Sequence, residues 1–118
     1  MSLAYLGTPY TRYKAGLRQA YVDAARLAAR LVKAGVAAYS PIVHCHPISA
    51  YGELDPLDLS IWYPHNGLMM QRCDALIVAH MDGWEESAGI KYEVAFFEER
   101  KRPIFDLDTE TLRMDRRK

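Results

Sequence analysis

Apolar and polar residues are distributed along this chain in a pattern that predicts strands separated by helices. Short apolar runs, each bounded by breaker or polar residues, occur at positions 3–6, 36–39, 74–80 and 103–105. Runs of this length are typical of buried strands, whereas the segments between them repeat their apolar residues every three or four positions, as helices do. The alternation predicts a three-layer α/β fold of the flavodoxin-like (Rossmann-like) type, with a short parallel sheet of four to five strands.

The first helix is predicted over residues 13–34, where the amphipathic spacing is regular. Gly35 follows it and is expected to close the helix in the left-handed conformation. The segment 42–55, which has prolines at and near its ends, two histidines and a glycine, predicts a loop or an irregular helix.

Two further helices are expected in the second half of the chain. Asp55-Pro56 is a typical helix start, because the aspartate can cap free amides and proline loses no hydrogen bond at the first position. Pro64 interrupts the apolar pattern and predicts two shorter helices, the second ending near Arg72. Ser87 is expected to cap the last helix, which runs to about Lys101.

Composition narrows the class of protein. The 118 residues, half of them hydrophobic and a quarter charged, predict one domain over residues 1–118 and exclude a disordered or collagen-like chain. Fifteen basic and fifteen acidic side chains give no net charge, so no global field attracts nucleic acid or an anionic membrane. The apolar runs are too short to span a bilayer and Met1 precedes no signal core, which predicts a cytoplasmic protein.

The only two cysteines, Cys45 and Cys73, are too few for a disulfide framework and are expected to be reduced thiols. His44 and His46 flank Cys45, but alternating ligands without a second pair are a weak zinc signal. The chain also lacks the G-x-G-x-x-G, G-x-x-x-x-G-K-[ST] and G-x-S-x-G patterns, so dehydrogenase, P-loop and esterase interpretations have no support.

Ligands of such sheets bind at the carboxyl ends of the strands, which would bring together the predicted loops 7–11, 44–47 and 81–89. The helix after the third loop has an inward stripe of Ile90, Val94 and Phe97, and Glu93 lies about 60° from its centre. Periodicity alone favours an edge glutamate that reaches water or pairs with a basic residue. The free amides of residues 88–90 at the helix start would suit an anion such as a phosphate.

Several short motifs in this order resemble one known family. They are Tyr5-Leu6-Gly7-Thr8-Pro9-Tyr10, the segment around Asn66, and Asp82-Gly83 leading to Ser87-x-Gly89-x-x-x-Glu93. Over residues 3–105 the chain is similar to the nucleoside 2-deoxyribosyltransferase superfamily, which includes the 2'-deoxynucleoside 5'-monophosphate N-glycosidases. The nearest resemblance is to a small bacterial and phage branch with His46-Pro47-Ile48 and Gly83-Trp84.

The resemblance implies catalytic roles for Glu93 and Tyr5. Glu93 matches the nucleophile that attacks the anomeric carbon to give a covalent glycosyl ester, after which water completes hydrolysis or a second nucleobase completes transfer. Tyr5 matches the tyrosine whose hydroxyl holds that glutamate. A tyrosine in a first strand is also a common core residue, and both interpretations remain open.

The resemblance also implies a set of substrate-binding residues: Gly7, Thr8, His46, Asn66, Asp82, Ser87 and Gly89. Ser87 matches the serine of the monophosphate hydrolases, although a helix cap without ligand explains it equally well. Asp82 can likewise brace a turn. Asn66 departs from the family, which has an aspartate there, and an amide cannot serve as a general acid or base.

The remaining expectations concern the partners of this protein and the alternatives to an enzymatic function. The resemblance implies a homo-oligomer that acts on a small nucleoside or nucleotide and needs no metal or organic cofactor, while the balanced charge and the short apolar runs argue against a membrane or nucleic-acid partner. Tyr92 and Phe96 are candidate subunit contacts, or pack within their own subunit. A nucleotide-binding or sensing module without turnover is the alternative function, and a flavin binder rests on fold analogy alone. The end of the chain is basic, which favours a solvated tail over a phosphate or nucleic-acid contact. The basic residues there are Arg113, Arg116, Arg117 and Lys118.

Overall fold

The computed structural model describes residues 2–118, in which strands and helices alternate as predicted. In chain order the elements are β1 (Ala4–Gly7), α1 (Leu17–Lys33), β2 (Ala38–Tyr39), α2 (Pro41–Gly52), α3 (Leu59–Arg72), β3 (Ala75–Ala79), a 3₁₀ turn (Trp84–Glu86), α4 (Ala88–Glu99), β4 (Ile104–Leu107) and β5 (Met114–Arg116).

The sheet has the strand order β2-β1-β3-β4-β5. The first four strands are parallel, with Tyr5 opposite Leu76 and Gly7 opposite Val78, while β5 is antiparallel to β4. Helices cover both faces, so the protein has the three-layer flavodoxin-like α/β fold.

The two faces of the sheet bury alternate residues of each strand. Leu6 and Ile77 pack under α1, whereas Tyr5 and Leu76 point to the opposite face, which α3 and α4 cover with Met70, Ile90 and Phe97. Because side chains alternate along a strand, Gly7 lies on the same face as Tyr5. This places the end of β1 directly beneath α4.

Helix α1 confirms the amphipathic pattern but begins at Leu17, four residues later than predicted. The preceding Gly16 has φ of 95°, a left-handed conformation that cannot continue into a helix from residue 13. Gly35 follows the helix with φ of 82°, as predicted.

The segment predicted as a loop or irregular helix is helix α2, and residues 44–47 therefore do not form a strand-end loop. Ser40 caps it by accepting a hydrogen bond from the Val43 amide at 3.3 Å, and Pro41 occupies its first turn. Pro47 costs the helix one hydrogen bond, which packing against α1 offsets. Apolar residues on all sides of α2 hide its helical period in the sequence.

Helix α3 is continuous through Pro64, so the prediction of two shorter helices was wrong. Its cap is Asp58, whose carboxylate accepts from the Ser60 amide at 3.0 Å, rather than Asp55. Trp62 and Met70 are buried on either side of the proline. Their burial stabilises one continuous helix against the cost of roughly 3 kcal/mol that an internal proline imposes.

The basic end of the chain is not a free tail, because residues 114–116 form the edge strand β5. The Arg117 guanidinium donates two hydrogen bonds to the Asp106 carboxylate, at 2.7 and 3.1 Å. This contact holds the pKa of Asp106 below its usual range. The sequence could not indicate it, since the two residues lie 11 positions apart, Asp106 in β4 and Arg117 just after β5.

Among residues 2–118, none of the helices has the length and hydropathy needed to cross a bilayer.

Candidate active site

A cavity of about 160 Å³ lies where the carboxyl end of β1 meets α2, α3 and the start of α4. Six residues that the sequence analysis selected line it: Tyr5, Thr8, Asn66, Ser87, Gly89 and Glu93. They come from three separate parts of the chain: β1 and the residue after it, α3, and the start of α4. The fold therefore brings most of the predicted site into one space.

Glu93 is buried in the wall of this cavity. Its side chain is only 9 % exposed, so the expectation of an edge glutamate in water or in an ion pair does not describe it. One carboxyl oxygen, Oε1, lies so close to Gly7 that a β-carbon there would stand 2.6 Å from it. Gly7 ends strand β1, and the absence of a side chain there makes room for the carboxyl.

Three buried polar atoms lie at the cavity without a well-aligned hydrogen bond among residues 2–118, although the Tyr5 hydroxyl is near enough to Glu93 to act on its carboxyl. They are the Tyr5 hydroxyl, the Thr8 hydroxyl and Oε1 of Glu93. An unsatisfied buried polar group costs about 1–3 kcal/mol, so native proteins rarely keep three together. Such a group of atoms is typical of a site that completes its hydrogen bonds with a polar ligand.

Burial controls the ionisation of these groups. It raises the pKa of Glu93 to about 8, and the Tyr5 hydroxyl opposes part of that rise. Burial, and then the charge of Glu93, raises the pKa of Tyr5 well above its ordinary value, so this residue remains a hydroxyl. At neutral pH and with no ligand, the Glu93 carboxyl is therefore mainly protonated, while a positive charge beside it would favour the carboxylate.

Helix α4 begins at the cavity wall, as predicted. Ser87 is its N-cap, and the Ser87 hydroxyl accepts a hydrogen bond from the Ile90 amide at 3.2 Å. Ala88 and Gly89 line the cavity within the first turn. Their amides belong to the positive end of the helix, which favours negative groups of a ligand.

Aromatic side chains form much of the cavity wall, and these were missed as site residues by the sequence analysis. Tyr63 of α3 stacks on Tyr92 of α4 with ring centroids 4.3 Å apart, and Trp62 and Tyr10 also line the cavity. Tyr92 therefore packs within its own chain. The adjacent aromatics Trp62 and Tyr63 were the available signal, but Tyr63 was given no role in the sequence analysis.

Three predicted binding residues do not line the cavity, and of these Gly7 touches it only indirectly, through its contact with Glu93. His46 lies in α2, where Nδ1 and the Tyr10 hydroxyl share a hydrogen bond of 2.6 Å and its ring stacks on Tyr21. Asp82 lines a groove with Asp23 and Arg26 on the face that α1 covers. His46 can act on the cavity only through Tyr10, and Asp82 faces a different surface.

No group of three or more potential metal ligands occurs in the described part of the chain. His44 and Cys45 do not converge, because the His44 ring stacks on His65 at 4.8 Å while Cys45 faces the cavity. Both cysteines are free and buried.

The fold and this site define a flavodoxin-like α/β protein with a buried carboxyl beside a small cavity. The chain belongs to the family described as domain of unknown function (DUF1937), whose model matches residues 2–109. The matched range contains every residue of the cavity and ends before β5. No curated protein matches the chain.

Proposed function

We propose that this protein cleaves or exchanges the N-glycosidic bond of a deoxynucleoside or deoxynucleoside 5'-monophosphate. One observation carries the proposal: the Glu93 carboxyl is buried, lines the cavity and has an oxygen without a partner. A structural glutamate at that depth would be paired, since burial of an unpaired carboxyl is costly. The resemblance of the surrounding sequence motifs to the nucleoside 2-deoxyribosyltransferase superfamily suggests the reaction class.

In the proposed reaction, Glu93 attacks the anomeric carbon of the sugar. The bond from that carbon to the base breaks, its electron pair leaves with the base, and a glycosyl ester forms on the carboxylate. Water then hydrolyses the ester, or a second base takes the sugar. The positive charge that develops on the sugar favours ionised Glu93, which offsets the raised pKa of the ligand-free protein.

The other cavity residues have positioning roles in this proposal. The Tyr5 hydroxyl holds the carboxylate, and the Gly7–Thr8 turn lies against the sugar, with the Thr8 hydroxyl free to donate. Ser87 and the first turn of α4 receive the 5' side, where a phosphate would meet free amides. The reaction as written needs no metal or organic cofactor.

Location and assembly are part of the same proposal. Free thiols at both cysteines fit a cytoplasmic protein, the compartment we assign. Exposed apolar side chains along α2 and α3, of which Tyr51 is 92 % and Leu68 58 % exposed, support a homo-oligomer. Sedimentation analysis of the purified protein measures its subunit number.

The direct test is release of base from the four deoxynucleosides and their 5'-monophosphates, measured by chromatography. We expect release by the wild type and a loss of at least a hundredfold in Glu93→Gln, because an amide forms no glycosyl ester. Glu98→Gln, an exposed change on the same helix, is the matched control. Equal release by the wild type and Glu93→Gln would refute the catalytic role. Addition of a second free base distinguishes exchange from hydrolysis.

A nucleotide-binding or sensing module without turnover is the second candidate. Asn66, which lines the cavity in place of the family's aspartate, is the observation that favours it, because no carboxyl is available there as a general acid. Calorimetric binding of deoxynucleotides without any release of base would support this candidate. Multiple turnovers would exclude it.

A further inference from the structure

Two cavity residues make a contact that the proposed roles leave unexplained. The Cys45 thiol of α2 donates a hydrogen bond to Oδ1 of Asn66 in α3, with 3.7 Å between sulfur and oxygen. Both residues line the cavity. Burial raises the pKa of Cys45 to about 11, so the thiol keeps its proton at neutral pH and acts as a donor.

This contact gives the Asn66 amide a direction. An amide has one accepting and one donating end, and its two orientations differ only by a rotation of the group. Because the thiol holds the oxygen, the nitrogen is the end that remains for a ligand. The unpaired atoms of Tyr5, Thr8 and Glu93 independently mark the same cavity as a ligand site.

We infer that Cys45 is a positioning residue which holds the Asn66 amide with its N–H groups toward the cavity, so that the site selects a base that presents an exocyclic oxo group, rather than an amino group, to Asn66. This inference rests on the proposed function and specifies its substrate. The expected preference is for an oxo base over the matching amino base: deoxyinosine over deoxyadenosine, and deoxyuridine over deoxycytidine. An amino group is a donor, like the N–H of Asn66 that it would face, so neither group would make a hydrogen bond.

The same orientation assists departure of the base without a general acid. When the bond from the anomeric carbon to the base breaks, the electron pair spreads onto the carbonyl oxygens and ring nitrogens of the base. An Asn66 N–H can donate a hydrogen bond to one of these atoms, which lowers the energy of the departing anion without transferring a proton. The proton that finally neutralises the base comes from water.

The test compares kcat/KM for each oxo and amino pair in the wild type, Cys45→Ala and Cys73→Ala. Cys73 is the matched control, since it is also buried but lies outside the cavity. We expect the wild type to prefer the oxo base about tenfold, the order of one hydrogen bond. Cys45→Ala frees the amide to turn, so the ratio should fall to within about twofold, whereas Cys73→Ala keeps the wild-type ratio. Asn66→Ala should also abolish the preference.

Either of two results would overturn the inference: a wild type that releases base without preferring oxo bases, or a Cys45→Ala variant that keeps the wild-type ratio. If the wild type releases no base at all, the proposed reaction fails and calorimetry with free bases decides this inference separately. Tighter binding of hypoxanthine than adenine, lost in Cys45→Ala but not in Cys73→Ala, would sustain it. Equal binding of both bases, or binding of neither, would reject it.

Discussion

The Glu93 carboxyl and the backbone of Gly7 lie so close that a β-carbon at position 7 would stand 2.6 Å from Oε1. The contact joins the end of β1 to the second turn of α4, across 86 positions of sequence. It holds the carboxyl against the sheet and leaves no space for any side chain at residue 7. A substitution at Gly7 therefore tests directly whether the position of the Glu93 carboxyl matters for the reaction.

Gly7→Ala should displace the carboxyl and reduce base release at least tenfold, because the new methyl group occupies the place of Oε1. The carboxyl is the flexible end of its side chain, so the loss of unfolding free energy should stay near 1 kcal/mol. Chemical denaturation and the base-release assay measure the two effects.

Gly67→Ala is the control for this change. Nothing lies within 4 Å of a β-carbon at position 67, and the residue is inside α3, so alanine should stabilise the protein by up to 1 kcal/mol without affecting release. A Gly7→Ala protein with wild-type activity would show that the carboxyl position is unimportant for the reaction.

Glu93→Gln should stabilise the protein in a pH-dependent manner. The pKa of Glu93 is raised from its ordinary 4.5 to about 8, so the folded protein keeps a proton that the unfolded chain loses in this interval. The protonated Glu93 carboxyl makes its full contribution to the free energy of unfolding below pH 4.5, and this contribution is lost as the pH rises to 8. The variant should therefore match the wild type near pH 4 and exceed it by about 3 kcal/mol at pH 7.

Urea denaturation at pH 4, 6, 7 and 8 measures this difference. Glu98→Gln, at an exposed position of the same helix, should give curves parallel to those of the wild type. A difference between Glu93→Gln and the wild type that stays constant with pH would contradict the raised pKa.

Tyr5→Phe should shift the pH dependence of base release to higher pH. The Tyr5 hydroxyl lowers the pKa of Glu93, and its removal leaves burial unopposed. We expect kcat/KM of the wild type to rise toward about pH 8 as Glu93 ionises in the free enzyme, with the midpoint higher in Tyr5→Phe.

The control for this profile is Tyr39→Phe. The Tyr39 ring packs against Tyr5 at 5.7 Å, but its hydroxyl faces His65 instead of Glu93. Its midpoint should equal that of the wild type. If the wild type, Tyr5→Phe and Tyr39→Phe all have the same midpoint in the pH profile, Tyr5 does not influence the ionisation of the Glu93 carboxyl.

Ser87→Ala should have two separable effects. Loss of the cap to the Ile90 amide should cost about 1 kcal/mol of unfolding free energy. If the start of α4 receives the 5' phosphate, the variant should also lose several-fold of its preference for monophosphates over nucleosides, measured as a ratio of kcat/KM.

Ser40→Ala is the control that shows whether a change in the ratio of kcat/KM for monophosphates and nucleosides comes from the cavity or from the loss of any helix cap. Ser40 caps α2 in the same way, at the Val43 amide, so its loss should cost similar stability but leave the ratio unchanged. If Ser87→Ala leaves this ratio unchanged, Ser87 caps the helix but does not contribute to binding of the 5' phosphate.

Local patterns predicted what local physics decides. The length of the apolar runs identified four strands, the spacing in α1 identified its buried face, and Ser87 and Gly35 marked helix ends correctly because capping depends on a few adjacent residues. Elements held by distant contacts were missed or misjudged. Packing on α1 supports α2 despite Pro47, buried Trp62 and Met70 keep α3 continuous through Pro64, and Arg117 reaches Asp106 only once β5 has paired.

The sequence by itself determined the layered α/β architecture and the edge of the sheet where a ligand would bind, because strand and helix periods are properties of consecutive residues. Only the tertiary structure decided which candidates share a cavity: it brings Glu93 against Gly7 and Tyr5, adds Cys45 and Tyr63, and leaves out His46 and Asp82. The burial that raises the pKa of Glu93 is likewise a property of the packed chain, since desolvation depends on all the atoms that surround the carboxyl.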